Sequence, residues 1–229
     1  METFNATVWE NEIYGKGHHL NQYPFDNIVS FIYRNYPRNK PRSDIRVLEI
    51  GCGAGNNCWF AAREGFDVTG IDGSPSAINF AKERFASEGL TGNFVVGDST
   101  GLPFDSNQFD IVFDRGAIVC CNLKGGELAV NEVHRVLKPK GRFFFNPYSQ
   151  AHSSFCSGEL QQDGYVTAIS GGTLTGVGDL CFYSHKDILQ VLGKKWLIEK
   201  LIHKENKEVI GAQQTIHAEW EVTLQKSSD

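Results

Sequence analysis

Between residues 45 and 146 the spacing of apolar positions switches back and forth between two periods. Ile45-Arg46-Val47-Leu48-Glu49-Ile50 predicts a β-strand that stops at glycines, and residues 56–64 predict a helix ended by Gly65. Residues 67–71 predict a second strand. Ser74 followed by Pro75 is a cap with proline at the first helical position, so a helix is expected over 76–88, ended by Gly89. Short strands are expected at 93–96 and 109–113, a helix at 127–137 stopped by Lys138-Pro139-Lys140-Gly141, and a fifth strand at 142–146. Strands that alternate with helices through short turns build βαβ units, hence a parallel sheet with helices on both faces. Right-handed crossovers then leave few topologies.

The flanks carry a different pattern. Upstream, Ile28, Phe31, Ile32 and Asn35 recur at helical intervals behind Pro24, and the polar stretch 36–43, with two prolines, is a linker. Downstream, Ser184 caps a helix expected to reach Leu192, and two strands are expected at 196–203 and 216–225. Between lies 148–182, rich in Gly, Ser, Thr and Gln and long for a connector. Such loops tend to be functional or mobile. The organisation expected is an N-terminal cover over the active site (1–43) and one ligand-binding domain (44–229), with a substrate loop at 148–183.

Composition narrows the function. A chain of 229 residues suffices for one α/β domain with a buried core. Its formal net charge of −5 argues against a nucleic-acid or membrane-surface partner, because phosphate binding needs a positive field. Six cysteines, Cys52, Cys58, Cys120, Cys121, Cys156 and Cys181, form no C-x-x-C pair and no zinc-like cluster with histidine. They read as reduced thiols of a cytoplasmic protein without a metal. No basic segment leads into an apolar run at the N-terminus, and nothing approaches the ~20 apolar residues of a membrane span. A monomer or homodimer is expected.

Candidate chemistry gathers where the strands end. Gly51-Cys52-Gly53-Ala54-Gly55 follows a strand and opens a helix, whose free N–H groups and positive dipole end face the turn. Glycine permits the tight turn and close approach of a ligand to the backbone. Asp72 ends the second strand about 20 residues on, a spacing that sets a carboxylate beside the ribose of a bound nucleoside. Asp98-Ser99 adds a third polar group at the end of the third strand. A nicotinamide enzyme would prefer G-x-G-x-x-G, but here the third glycine, Gly55, comes one position early and Asn56 takes its place. That spacing, with Glu49 before the turn, fits a cofactor without pyrophosphate.

At these residues the chain resembles the class I S-adenosylmethionine-dependent methyltransferases. Val47 to Gly55 is similar to their first motif, Gly70-Ile71-Asp72-Gly73-Ser74 to the acidic end of their second strand, and Gly97-Asp98-Ser99 with Leu102-Pro103-Phe104 to their adenine-binding segment. Residues 109–114 resemble their fourth strand and 136–142 the turn into their fifth. Asp114-Arg115-Gly116-Ala117 is similar to the segment after the fourth strand in thiopurine-type and small-molecule methyltransferases. The resemblance implies S-adenosylmethionine as cofactor and a Rossmann-like seven-stranded, mostly parallel sheet with an antiparallel last strand. It implies cofactor contacts from Glu49, Gly51, Cys52, Gly53, Asp72, Gly73, Asp98, Ser99, Asp114 and Arg115. Glu49 would lie near the methionine amino group, Asp72 on the ribose hydroxyls and Asp98 on the adenine amino group.

Methyl transfer from a sulfonium is an in-line displacement in which the protein aligns the reactants and excludes water, and a general base is optional. Tyr14, His18 and Tyr148 are the candidates for catalytic contact, with His19 and His152 nearby in sequence. His134 falls within a helix, and His203 and His217 fall on the terminal strands away from the cofactor edge; all three read as structural. The aromatic-rich cover and the 148–183 loop suit a small, partly apolar acceptor, a sugar or secondary metabolite methylated on O or N. The rivals are a Rossmann oxidoreductase, a catalytically silent methyltransferase-like regulatory subunit, and a protein or RNA methyltransferase. Asn146-Pro147-Tyr148 resembles a base-amine motif but follows the fifth strand, not the fourth.

Overall fold

A computed structural model describes residues 7–210 and 214–227 of the chain; residues 1–6 of the expected cover lie outside the described residues. The strands are β1 (Arg46–Ile50), β2 (Asp67–Asp72), β3 (Asn93–Val96), β4 (Phe109–Asp114), β5 (Leu137–Phe145), β6 (Glu159–Leu160), β7 (Tyr165–Thr167), β8 (Leu180–Cys181), β9 (Trp196–Lys207) and β10 (Ile216–Lys226). The α-helices are α1 (Asp26–Asn35), α2 (Asn56–Arg63), α3 (Pro75–Ser87), α4 (Leu123–Val136), α5 (Ser153–Cys156) and α6 (His185–Leu192). A π-helical turn (Trp9–Ile13) and a 3-10 turn (Tyr14–Lys16) precede α1.

Seven strands form one sheet in the order β3-β2-β1-β4-β5-β10-β9. β1 to β5 are parallel neighbours; β10 is antiparallel to both β5 and β9, so six strands share one direction and the last in sequence runs against them. This is the Rossmann-like sheet that the resemblance implies. The strand order reverses between β1 and β4, and the crevice beyond the carboxyl ends of the strands at such a point is where α/β sheets bind ligands.

The strands are apolar on both faces because helices cover both. Val47, Val68, Ile111, Phe113 and Phe144 pack with α1, α2 and α3. Their sequence neighbours Leu48, Val112, Phe143 and Phe145 point the other way, into a core shared with α4 and α6. The expected helix after Ser74 is present, with the Ser74 hydroxyl accepting the Ala77 N–H and Pro75 in the first turn. Ser184 caps α6 in a reciprocal arrangement with Asp187. All six cysteines are free thiols, and only Cys156 is exposed.

Three boundaries differ from the pattern. α4 begins four residues before the expected Glu127, because Asn122 caps it by accepting the Gly125 N–H, and its first turn holds the two glycines that interrupt the apolar period. The segment 138–141 is not a plain stop. Leu137 pairs with Phe109, the ladder resumes at Ile111 and Arg142, and the residues between bulge out through Pro139 and a left-handed Lys140. The segment 148–182 is no open loop. It carries α5 and a small antiparallel sheet in the order β6-β7-β8, whose strands of two or three residues are too short to show a period. Among the described residues no helix is long and apolar enough to cross a membrane.

Candidate functional site

β1 delivers the chain into the glycine turn. Gly51 and Gly53 have φ of +63° and +51°, the left-handed region that side chains disfavour. Space is short as well: a Cβ on Gly51 would collide with that of Ala117, and one on Gly53 with the Tyr14 hydroxyl. Asp72, at the end of β2, ties this turn to the next. Its Oδ2 accepts the Gly53 N–H and its Oδ1 the Ser74 N–H, both at 2.8 Å. Burial raises the Asp72 pKa, and those two N–H donors work against it.

Two cavities open at this edge. The first, about 650 Å³, is lined by Ile50, Asp72, Gly73, Gly97, Ser99 and Cys120 among others. The second, about 820 Å³, is lined by Glu49, Gly53, Asn56, Tyr148, Thr173 and Leu174 among others. Trp9, Tyr14, Gly51, Arg115 and Gly116 line both, so the cavities meet above the glycine turn. The N-terminal segment is clasped over them by Glu10, whose carboxylate accepts from the Ser74 hydroxyl at 2.5 Å and from the Ser76 N–H and hydroxyl at 3.1 and 2.8 Å.

Glu49 is 2% exposed at the base of the second cavity. Asn57 donates to its Oε1 at 2.7 Å and the Cys58 thiol to its Oε2 at 3.1 Å. Burial pushes its carboxyl up to about 8, against those donors. Arg115 follows β4. Its guanidinium lies 4.3 Å over the Phe25 ring and 3.7 Å from Glu219, with Nε buried and given no partner among the described residues.

Of the residues expected at the cofactor, Gly51, Asp72, Gly73, Ser99 and Arg115 line the first cavity, and Glu49, Cys52 and Gly53 the second. Asp98 and Asp114 line neither. Asp98 is exposed and accepts the Thr100 N–H at 2.8 Å, an Asx turn between two lining residues. Asp114 is fully buried and accepts the N–H groups of Ala117 and Ile118 at 2.9 Å, which fixes the turn that aims Arg115; burial raises its pKa to about 6. Among the catalytic candidates, Tyr14 lines both cavities and Tyr148 the second, whereas His18 is exposed and lines neither. Burial raises the phenol pKa of both tyrosines, so each is a neutral donor near pH 7 rather than a base.

His134 packs edge-on to Trp196, and His203 bonds to the Ser149 hydroxyl at 2.7 Å and stacks on Trp220, as structural residues do. His217 is a correction. Because β10 pairs with β5, the segment after β5 folds back across the start of β10. That places His217 against Tyr148 (5.6 Å between ring centres) and His152 (4.8 Å), next to the cavity rather than away from it. Sequence reasoning also passes over Asn57, Thr173 and Glu219. A signal existed for one pair: His217 and Glu219, two apart on a strand, must share a face. Asn146 is buried, bonded to Asn27 and the Trp220 carbonyl, and ties α1 and β10 to the end of β5.

Sheet order, glycine cradle and strand-end carboxylates together define the class I methyltransferase fold with a polar-lined site at its switch point. Residues 47–141, the stretch that carries the glycine turn and the strand-end carboxylates, match the family model described as a methyltransferase domain. S-adenosylmethionine is the cofactor that family and fold imply, and the Gly51–Gly53 cradle beside Asp72 fits it. Among curated relatives, a probable phthiotriol/phenolphthiotriol dimycocerosates methyltransferase of Mycobacterium ulcerans is 34% identical over 48% of this chain and 43% of its own. A fatty-acid O-methyltransferase of Mycolicibacterium smegmatis is 32% identical over 52% of this chain and 44% of its own. The chain thus spans under half the length of these relatives. A solved structure described as an S-adenosylmethionine-dependent methyltransferase, from Methanosarcina mazei, superposes with a TM-score of 0.70 at 22% identity, covering 90% of this chain and all (100%) of that one.

Proposed function

We propose that the protein is an S-adenosylmethionine-dependent methyltransferase that modifies an oxygen of a small, partly apolar molecule. The observation that carries this reading is the pair of cavities joined over Gly51: one bounded by Asp72 and Ser99 for the nucleoside, the other bounded by Tyr148, Leu174 and Val177 for an acceptor. When bound, S-adenosylmethionine supplies a methyl group on a sulfonium, and the reaction is an in-line displacement. Asp72 would hold the ribose, the backbone at Gly51 and Gly53 would lie along the methionine portion, and Glu49 would face its ammonium. Trp9, Tyr14 and the 148–183 segment would exclude water from the junction, and residues 7–43 would serve as the cover.

Oxygen is favoured over nitrogen by the polar wall of the second cavity, where Tyr148, Thr173 and Arg115 can orient a hydroxyl or carboxylate. Relatives named for methylation of phthiotriols and fatty acids support an apolar acceptor over a sugar. Calorimetric titration should show micromolar binding of S-adenosylmethionine and S-adenosylhomocysteine, with Asp72→Ala weakening both at least tenfold. Binding of NAD with neither of these ligands would overturn the reading. Retention of both ligands without turnover on long-chain alcohols, phenols or acids would favour a silent, regulatory fold instead.

A further inference from the structure

Behind the wall of the second cavity lies a hydrogen-bonded chain of His152, Thr173, His217 and Glu219. The His152 Nδ1 accepts the Ser154 N–H at 3.0 Å, so its hydrogen sits on Nε2. That Nε2 faces the Nδ1 of His217 at 3.2 Å and the Thr173 hydroxyl at 3.2 Å. With the His152 hydrogen directed to the Thr173 oxygen, the Thr173 hydroxyl points its own hydrogen at the His217 Nδ1, and His217 then carries its hydrogen on Nε2, which faces Glu219 Oε2 at 3.4 Å. The Thr173 hydroxyl is 3.2 Å from the same Nδ1 and lines the cavity.

We infer that Thr173, His217 and Glu219 form a proton relay that takes the proton of a hydroxyl acceptor during methyl transfer; this rests on the methyltransferase reading above. Thr173 touches the acceptor, while His217 and Glu219 act through it as positioning residues. As the acceptor oxygen bonds to the methyl carbon, the carbon–sulfur bond breaks and S-adenosylhomocysteine leaves. The acceptor's proton passes to the Thr173 oxygen, and the Thr173 proton passes to the His217 Nδ1. Glu219 balances the imidazolium so formed. Other groups frame the chain without replacing it. His152 is held neutral, with burial pushing it down to about 4, and Tyr148 packs on both imidazoles. Arg115 at 3.7 Å and Lys204 at 3.9 Å keep Glu219 ionised.

Nitrogen-15 spectra of the imidazoles in the intact chain with S-adenosylhomocysteine test the proton positions directly. His217 is expected as the Nε2–H form with an unprotonated Nδ1, and a hydrogen on Nδ1 would overturn the relay. Turnover is then compared on 4-octylphenol, which must lose a proton, and dodecanoic acid, already ionised near pH 7. His217→Gln should lower kcat on the phenol on the order of a hundredfold and spare kcat on the acid; Thr173→Val should lower kcat on the phenol as far, with KM rising for both acceptors because Thr173 lines their cavity. Thr173→Ser should restore phenol turnover. Equal loss on both acceptors, or no loss on either, would overturn the proposal. Absence of cofactor binding in the calorimeter would sink the methyltransferase reading separately, and where neither probe is methylated the nitrogen spectra decide.

Discussion

Glu49 shows how one carboxyl can report on ligand binding. Its pKa, raised by burial from 4.5 to about 8, leaves it largely protonated at pH 7. Between those two values the native state holds a proton that the unfolded chain has released, so this group's contribution to stability falls as pH rises through the interval. Glu49→Gln should flatten that decline, as chemical denaturation at pH 5 and pH 8 would show. A cationic ammonium arriving beside Glu49 favours the carboxylate, so S-adenosylmethionine should displace a proton on binding. Calorimetry at pH 7 in buffers of different ionisation enthalpy is expected to show that release in the wild type and its loss in Glu49→Gln.

At the scale of elements, Asp110 in β4 is the clearest anchor. It accepts from Lys40 at 2.7 Å, from Lys138 at 2.8 Å and from the Arg46 N–H at 2.9 Å, pinning the linker before β1 and the bulge in β5 to the sheet. Burial would push its carboxyl up, but the two lysines and the N–H hold it below the usual value. Its support is therefore present at neutral pH and lost as pH falls through the depressed pKa. Asp110→Asn should cost about 2 kcal/mol, the worth of hydrogen bonds to a charged group, and lower Tm by roughly 4–8 °C in a chain of this length.

The elements also show what a sequence can carry. β1 to β4, α2 and α3 were legible because buried strands and amphipathic helices repeat with fixed periods and end at caps and glycines. The first residues of α4 were not, since Gly125 and Gly126 look like a turn until the Asn122 cap is seen. In the site, the glycine turn, Asp72 and Glu49 could be found because consecutive strand ends share one edge of a parallel sheet. Thr173 and His217 could not. Residues 44 apart meet only through the folding back of 148–182 against β10, and no local pattern encodes that meeting.

For the whole molecule, cofactor binding and folding should be linked. A ligand that binds only the native state adds about 2.7 kcal/mol at a hundred times its Kd, which for a chain of this length is roughly 5–11 °C in Tm. S-adenosylhomocysteine should raise Tm by that amount in a thermal scan, with a smaller rise in Asp72→Ala. The exposed edge of the sheet, β9, carries Glu199, Lys200, Lys204, Glu205 and Lys207, charges that discourage strand-to-strand association between copies.

The Glu10 clasp has a kinetic consequence. Trp9 and Tyr14 border both cavities and Glu10 holds their segment to Ser74 and Ser76, so spent donor and methylated product would leave past this segment as Glu10 comes off the two serines. Departure rather than bond making is then expected to pace turnover, with spent donor competing with fresh donor for the site. Glu10→Ala should speed release of S-adenosylhomocysteine in stopped-flow measurements and relieve its inhibition of turnover. The serine that caps α3 would thus also help to set the residence time of the spent donor.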